Sequence, residues 1–345
     1  MPAQHRKVMQ NIIDCRTEKL GGEVFLCEKC HEFRFSFHSC QDRHCTKCGN
    51  DKVGKWLKKQ TAFLLPAPYF FITFTLPHEL AAVAYRNQRY FCHVFFHACA
   101  EAMKKLARDP KFVGGQIGFF GVLHTWKRNL GYHPHIHFIV AGGGLSKDGT
   151  VWCPSYEKYF LSIDALKQIY RAKVRDALKK KPKLFATVPP ETWKKNWGIH
   201  CKAVGNGEHA LKYLAPYIFR VAISNSRLKK LEHDNVTFEY RDRKTHELKT
   251  RMLPAVEFIG EFMQHVLPHG LVKVRYYGLF SPGNRKNLEK VRKLLGATLV
   301  DEASNPRPNP DLSDDARKPH VMYCPKCRAL LTWIETKAPI RSRGP

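Results

Sequence analysis

Two tight cysteine turns, Cys27-Glu-Lys-Cys30 and Cys45-Thr-Lys-Cys48, lie near the N-terminus with fourteen residues between them. In each turn two thiolates and the backbone amides beside them can close on one cation, and two turns complete a tetrahedron. This restricts what the surrounding chain can become. A polar segment of that size buries too little apolar surface to fold alone, and a structural zinc supplies roughly 10 kcal/mol or more. The spacing therefore predicts Zn2+ held by Cys27, Cys30, Cys45 and Cys48. Four buried reduced cysteines are the alternative, which so polar a segment disfavours. Cys15, Cys40 and His44 are left over in the same region, as a candidate trio for a second zinc or as support for the first. Residues 1–58 hold six of the twelve cysteines and read as a small, loop-rich module. Near the other end, Cys324-Pro-Lys-Cys327 supplies half a site, a zinc ribbon half or an ordinary turn, with His320 the nearest candidate partner.

Charge narrows the class of partner. The chain carries 58 Lys and Arg against 30 Asp and Glu, a net charge of +28, spread from Arg6 to Arg343 rather than gathered in one tail. A broad basic surface points to a polyanion, nucleic acid above all. A merely basic, ribosomal-type protein fits the charge as well, so the choice has to come from motifs. No secretory leader is legible in MPAQHRKVMQ, and the most apolar stretch, Phe63 to Leu76, is interrupted by Pro66 and Pro68. Thiols of this number without a leader are expected in a reducing cytoplasm.

Hydropathy patterning gives the order of elements. A strand is predicted from Tyr69 (YFFITFTLP), a helix over 84–108, and two strands over 116–126 and 135–140 joined by a turn near Asn129-Leu130-Gly131. Helices over 163–181 and 207–220, a charged hairpin over 236–252, a helix near 254–266 and a strand over 271–280 follow. Residues 303–319, rich in Pro, Asp, Ser and Asn, read as a linker. Strands interleaved with helices without a βαβ period predict an α+β fold.

Within the stretch GYHPHIHFIVAGGG, His133, His135 and His137 alternate, so on a strand all three project to one side while Ile136 and Phe138 project to the other. A lone pair of alternate histidines is most simply a solvent-facing row. Here the strand is otherwise apolar, and a polar face on it calls for a function, such as sharing a divalent ion. Gly142-Gly143-Gly144 read as the turn that ends the strand. Tyr213 and Tyr217 are four residues apart and share one helix face, although Pro216 between them removes a backbone donor. Two tyrosines at that spacing alone are an ordinary packing pair. With a metal that polarises a phosphate, a phenolate can attack phosphorus and leave a phosphotyrosine and a free 3′-hydroxyl.

His135-Ile136-His137 resembles the HUH signature of a histidine, a bulky apolar residue and a histidine. With KYLAPYIFRVAISN, HRKVMQNIIDCRTEKLGG, SCQDRHCTKCGN, YFFITFTLPHEL, VLHTWKRNLGYHPHIH and HVLPHGLVKVRYYG, the chain resembles the rolling-circle insertion-sequence transposases up to about residue 285. The resemblance implies a zinc-binding DNA-recognition domain (1–58), then a two-tyrosine HUH nuclease domain (59–285), then a linker and basic tail carrying CPKC (286–345). The nuclease would be a palm-like antiparallel sheet flanked by helices, with the histidines on a central strand. Mg2+ or Mn2+ would be held by His135, His137 and a third ligand, His124 first and His209 second, with His133 a neighbour. Tyr213 and Tyr217 would be the nucleophiles, and single-stranded element ends and target DNA the partners, in the bacterial cytoplasm beside the nucleoid. A rolling-circle replication initiator and a catalytically inactive zinc-dependent DNA-binding protein remain as alternatives.

Overall fold

The computed structural model describes residues 1–48, 56–57, 60–61, 64–218, 222–242, 245–296 and 322–340, without the side chains of 215–217. Its centre is a six-stranded sheet, ordered β11-β4-β5-β3-β7 with β6 on the far end of β5. The strands are β3 (Tyr69–Thr75), β4 (Gln116–Trp126), β5 (Tyr132–Leu145), β6 (Trp152–Pro154), β7 (Ile199–Ala203) and β11 (Val274–Gly278). Every pairing is antiparallel. Helices flank the sheet, so the fold is mixed α+β as expected.

Aromatic and β-branched residues make β3 and β4 buried on both faces, and each face has its own core. One face carries Phe74, Phe119, Ile136 and Phe138 against the helices Gln88–Ala107 and Ile163–Lys179. The second helix buries Leu166, Tyr170, Val174 and Leu178, a stripe at helical spacing, and starts where the Ser162 hydroxyl accepts from the Ala165 amide. The other face carries Phe71, Phe120 and Ile139 against Leu211, Leu214 and Ile218 of the helix Gly207–Ile218. Leu288 and Val291 of the helix Arg285–Leu294 join that second core, so this helix packs on the sheet rather than belonging to a tail. Among the described residues no helix is long and apolar enough to cross a membrane.

Several expectations need correcting. The predicted 84–108 helix is two helices, Ala81–Arg86 and Gln88–Ala107, broken at Asn87, whose backbone leaves the helical region at φ −127°, ψ 37°. The three glycines do not end the histidine strand: they lie inside β5, which runs on to Leu145. Glycine is required there by close approach. A Cβ on Gly143 would stand 2.4 Å from the Trp152 ring, and one on Gly144 2.8 Å from the Gly115 carbonyl carbon. The 303–319 linker lies outside the described residues.

The N-terminal module is more ordered than a loop-rich reading suggests. A helix (Ala3–Asp14) precedes the hairpin β1 (Gly22–Cys27) and β2 (Glu32–Phe37). The C-terminal segment returns to it: β12 (Thr332–Lys337) pairs antiparallel with β1, giving a three-stranded sheet β12-β1-β2. A further sheet, ordered β10-β9-β8, contains β8 (Leu228–Glu232), β9 (Asn235–Arg241) and β10 (Leu248–Pro254), so the predicted hairpin has a third strand.

Candidate active site and cysteine clusters

The register of the large sheet determines which side chains meet. β4 faces β5 with Val122 opposite His137 and His124 opposite His135, while β3 faces it with Thr73 opposite His137. Paired residues share a face, so His124, His135 and His137 gather on the side that carries the Gly207–Ile218 helix. One ring nitrogen from each lies within 4.8 Å of the others. His124 is 2% and His137 8% exposed, which keeps bulk water from most of the cluster.

Two of the rings are oriented from behind. His135 Nδ1 lies 2.8 Å from the His133 carbonyl, and His137 Nδ1 lies 2.9 Å from Thr73 Oγ1. A carbonyl can only accept, so Nδ1 of His135 carries the proton and Nε2 is the nitrogen that could ligate a metal. Trp126 stacks on His124 with centroids 4.6 Å apart, and Phe71 stacks on His137 at 5.0 Å. Three preoriented imidazoles from adjacent strands fit one divalent cation with open positions. His133 supplies the carbonyl behind His135 rather than a ring in the cluster, and His209 is exposed on the helix, outside it.

The helix Gly207–Ile218 lies over this face. Tyr213 meets Phe71 edge-on at 4.7 Å, so Phe71 bridges the tyrosine and His137, and Tyr213 is 41% exposed. Tyr217 lies in the same helix, but its side chain is outside the described residues. The far end of the helix is tied to the sheet by Lys273, whose Nζ donates to the Ile218 carbonyl at 3.0 Å and lies 5.2 Å from the centre of the Trp126 ring. Desolvation, aided by Arg43, pushes the Lys273 ammonium down to about 7. Between that value and the ordinary 10.5 the unfolded chain holds a proton that the folded chain lacks, so stability should rise with pH across this window. In Lys273→Met that rise should be smaller than in the parent, as read from urea unfolding at a series of pH values.

Phe71, Thr73, Trp126 and Lys273 are the functional neighbours that patterning missed. Alternation assigns each a face, but no local signal says which strand lies beside the histidines.

The cysteines pair differently from the sequence expectation. Cys27 and Cys30 do not meet Cys45 and Cys48; they gather with Cys324 and Cys327. Cys45 and Cys48 gather with Cys15 and Cys40. In each cluster all four sulfurs lie within 4.8 Å of one another, a donor set suited to tetrahedral Zn2+. The β1–β2 hairpin turns at Cys27–Cys30, and the return of β12 to β1 brings the CPKC turn beside it. The two turns repeat each other's backbone: His31 and Arg328, each four residues after the first cysteine of its turn, have φ of 53° and 60°. Hydrogen bonds from the Cys327 and Lys326 amides hold the Cys324 thiol down to about 6, whereas burial raises the Cys27 thiol and the Cys327 sulfur raises that of Cys30.

His44 is a correction too. Its Nδ1 lies 3.1 Å from Asp42, and its Nε2 accepts from the Leu267 amide at 3.3 Å, so Cys45 and Cys48 complete the second cluster in its place. Burial lowers its pKa, which suits a ring that accepts at Nε2. Next to it, Arg43 donates to the Leu271 carbonyl at 2.6 Å and to the Pro268 carbonyl at 3.2 Å. These bonds dock the cysteine module on the segment leading to Lys273.

Comparison with known proteins agrees with this layout. Residues 118–288 match a family described as "Putative transposase", and residues 1–76 match the "Transposase zinc-binding domain". A Sinorhizobium fredii protein named "Putative transposase y4qJ" is 36% identical over 346 residues, covering 93% of this chain and 86% of the relative. The transposase for insertion sequence element IS801 of Pseudomonas savastanoi pv. phaseolicola is 27% identical over 326 residues, covering 89% of this chain and 76% of the relative. The match to a zinc-binding domain supports Zn2+ as the structural metal of the cysteine clusters.

Proposed function

The chain belongs to the insertion-sequence transposase family, and from that premise we propose that it nicks single-stranded DNA at element ends by metal-assisted tyrosine attack. The nucleophiles are Tyr213 and Tyr217, and the product is a 5′-phosphotyrosine link that transfers the strand, as in rolling-circle transposition. One observation carries the reading: the cluster of His124, His135 and His137 lies on the sheet face that carries the tyrosine helix, with Phe71 touching both His137 and Tyr213.

Mg2+ or Mn2+ held by the three imidazoles would supply Lewis acidity at the scissile phosphate. His135 and His137 stay oriented by the His133 carbonyl and Thr73, so the donor set needs little rearrangement. Phe71 holds the Tyr213 ring in place while the residue's exposure lets a DNA strand reach it. The phenol oxygen forms its bond to phosphorus as the P–O3′ bond breaks. Its proton leaves to solvent, and the departing oxygen takes one up as a free 3′-hydroxyl. The covalent link conserves the bond energy, so rejoining to another 3′-hydroxyl needs no nucleotide, and the sequence carries no GxxxxGK[ST] motif. Two tyrosines allow two strands to be held at once.

The test is denaturing electrophoresis after incubation with single-stranded DNA carrying an element end, with Mn2+ added or omitted. A covalent adduct should form only with the added ion and fall by about 10²-fold or more in His137→Ala. DNA binding without an adduct on any element end would return the chain to the inactive DNA-binding alternative.

A further inference from the structure

Phe33, Phe35 and Phe37 stand at alternate positions of β2 and are 56%, 52% and 37% exposed. Alternation places all three on one face of the β12-β1-β2 sheet, while Phe25 and Cys27 of β1 pair with Arg34 and Glu32 on the other face, where the cysteine cluster lies. Phe35 and Phe37 are nearly parallel, with an interplanar angle of 11° and centroids 6.0 Å apart. Lys337 of β12 reaches across β1 and sets its ammonium 5.4 Å from the centre of the Phe35 ring. The solvent side of a small antiparallel sheet ordinarily carries polar residues, so three aromatic rings in a row are a feature with a purpose.

We propose that this face is a stacking platform for the unpaired bases of single-stranded DNA, completed by the C-terminal strand. Every base has a π-face, so a row of rings binds a strand without reading its sequence, and a neighbouring lysine meets the phosphates. Charge favours this occupant. The chain carries +28 overall, and the sheet's own carboxylates are already engaged. Glu23 accepts from Trp333 Nε1 at 2.8 Å, and Glu32 is held by Arg34 and Lys326. Glu335, on the platform side through its pairing with Val24, lies 4.0 Å from Lys337. The identity of the strand as DNA rests on the function proposed above; the stacking surface does not.

The experiment uses the zinc-loaded 345-residue chain without Mg2+ or Mn2+, so that binding is read without cleavage. Its probes are a fluorescent oligothymidylate and a duplex of the same length, followed by anisotropy. The parent should bind the oligothymidylate, and Phe35→Ala should weaken that binding about tenfold, within the range for loss of one stacked base. The triple variant Phe33→Ala, Phe35→Ala, Phe37→Ala should weaken it further, with duplex binding changed by less than about twofold. Phe35→Trp should retain the affinity and Phe35→Leu should lose it, because stacking needs a ring rather than apolar bulk. Zinc content equal to the parent's shows that the module is intact in each variant. The proposal is overturned if the parent does not bind the oligothymidylate, or if an intact triple variant binds it as tightly as the parent. Equal losses on single strand and duplex also overturn it, as does a change in sedimentation alone, which would mean that a second copy of the chain covers the rings. A parent that stacks oligothymidylate but forms no Mn2+-dependent adduct would overturn the cleavage reading and leave the platform standing. Adduct formation with an unaffected triple variant would do the reverse.

Discussion

A protein carrying Tyr213→Phe and Tyr217→Phe together should form no covalent adduct with element-end DNA, a fall of at least about 10³-fold. The change removes only the oxygen that would bond to phosphorus. At position 213 the ring remains, so its edge-on contact with Phe71 at 4.7 Å is kept. Because Tyr213 is 41% exposed, losing its hydroxyl should change stability by less than about 0.5 kcal/mol. Thermal unfolding and DNA binding should therefore match the parent while the covalent band disappears. Each single variant should retain adducts through the other tyrosine. A double variant that still forms the covalent band would remove both tyrosines from the mechanism.

The second large effect concerns the clasp between the two ends of the chain. Cys324→Ser with Cys327→Ser should lower the bound zinc from two ions per chain to one, since the cluster of Cys15, Cys40, Cys45 and Cys48 does not use either residue. Every residue of β12 is exposed, and the apolar burial joining the C-terminal segment to β1 comes mainly from Cys324 and Leu331. So little buried surface cannot hold a strand whose ordering costs about 1–2 kcal/mol per residue. A zinc site contributing roughly 10 kcal/mol can. The expected result is one zinc by metal analysis, with rapid proteolysis of the segment from Met322 onward. Retention of two zinc ions would instead favour the pairing of neighbouring turns, Cys27 and Cys30 with Cys45 and Cys48.

Much of the fold was legible because it is written in local periodicity. The aromatic and β-branched run at β3, the stripe of Leu166, Tyr170, Val174 and Leu178, and the alternation through His135 and His137 each specify an element from its own residues. The glycines of β5 misled for a physical reason. Glycine marks turns when read locally, whereas here it makes room for Trp152 of β6 and for the Gly115 backbone just before β4. The break at Asn87 is not legible because it does not interrupt the apolar pattern strongly, and β8 is not legible because all of its residues are exposed and no buried face marks it as a strand.

The sequence by itself determined the kinds of chemistry available: cysteine turns for a thiolate-bound metal, alternate histidines on one strand face, two tyrosines on a helix and a charge suited to DNA. Tertiary structure alone decided the partnerships. Cys27 meets Cys327 across 300 residues, His44 becomes a docking group rather than a ligand, and Phe71 links the histidine cluster to Tyr213. Residue type and spacing govern backbone conformation and the direction a side chain points, because those depend on dihedral angles a few residues long. Which side chain it then meets depends on strand register and on the return of distant segments, and these come from burial summed over the whole chain.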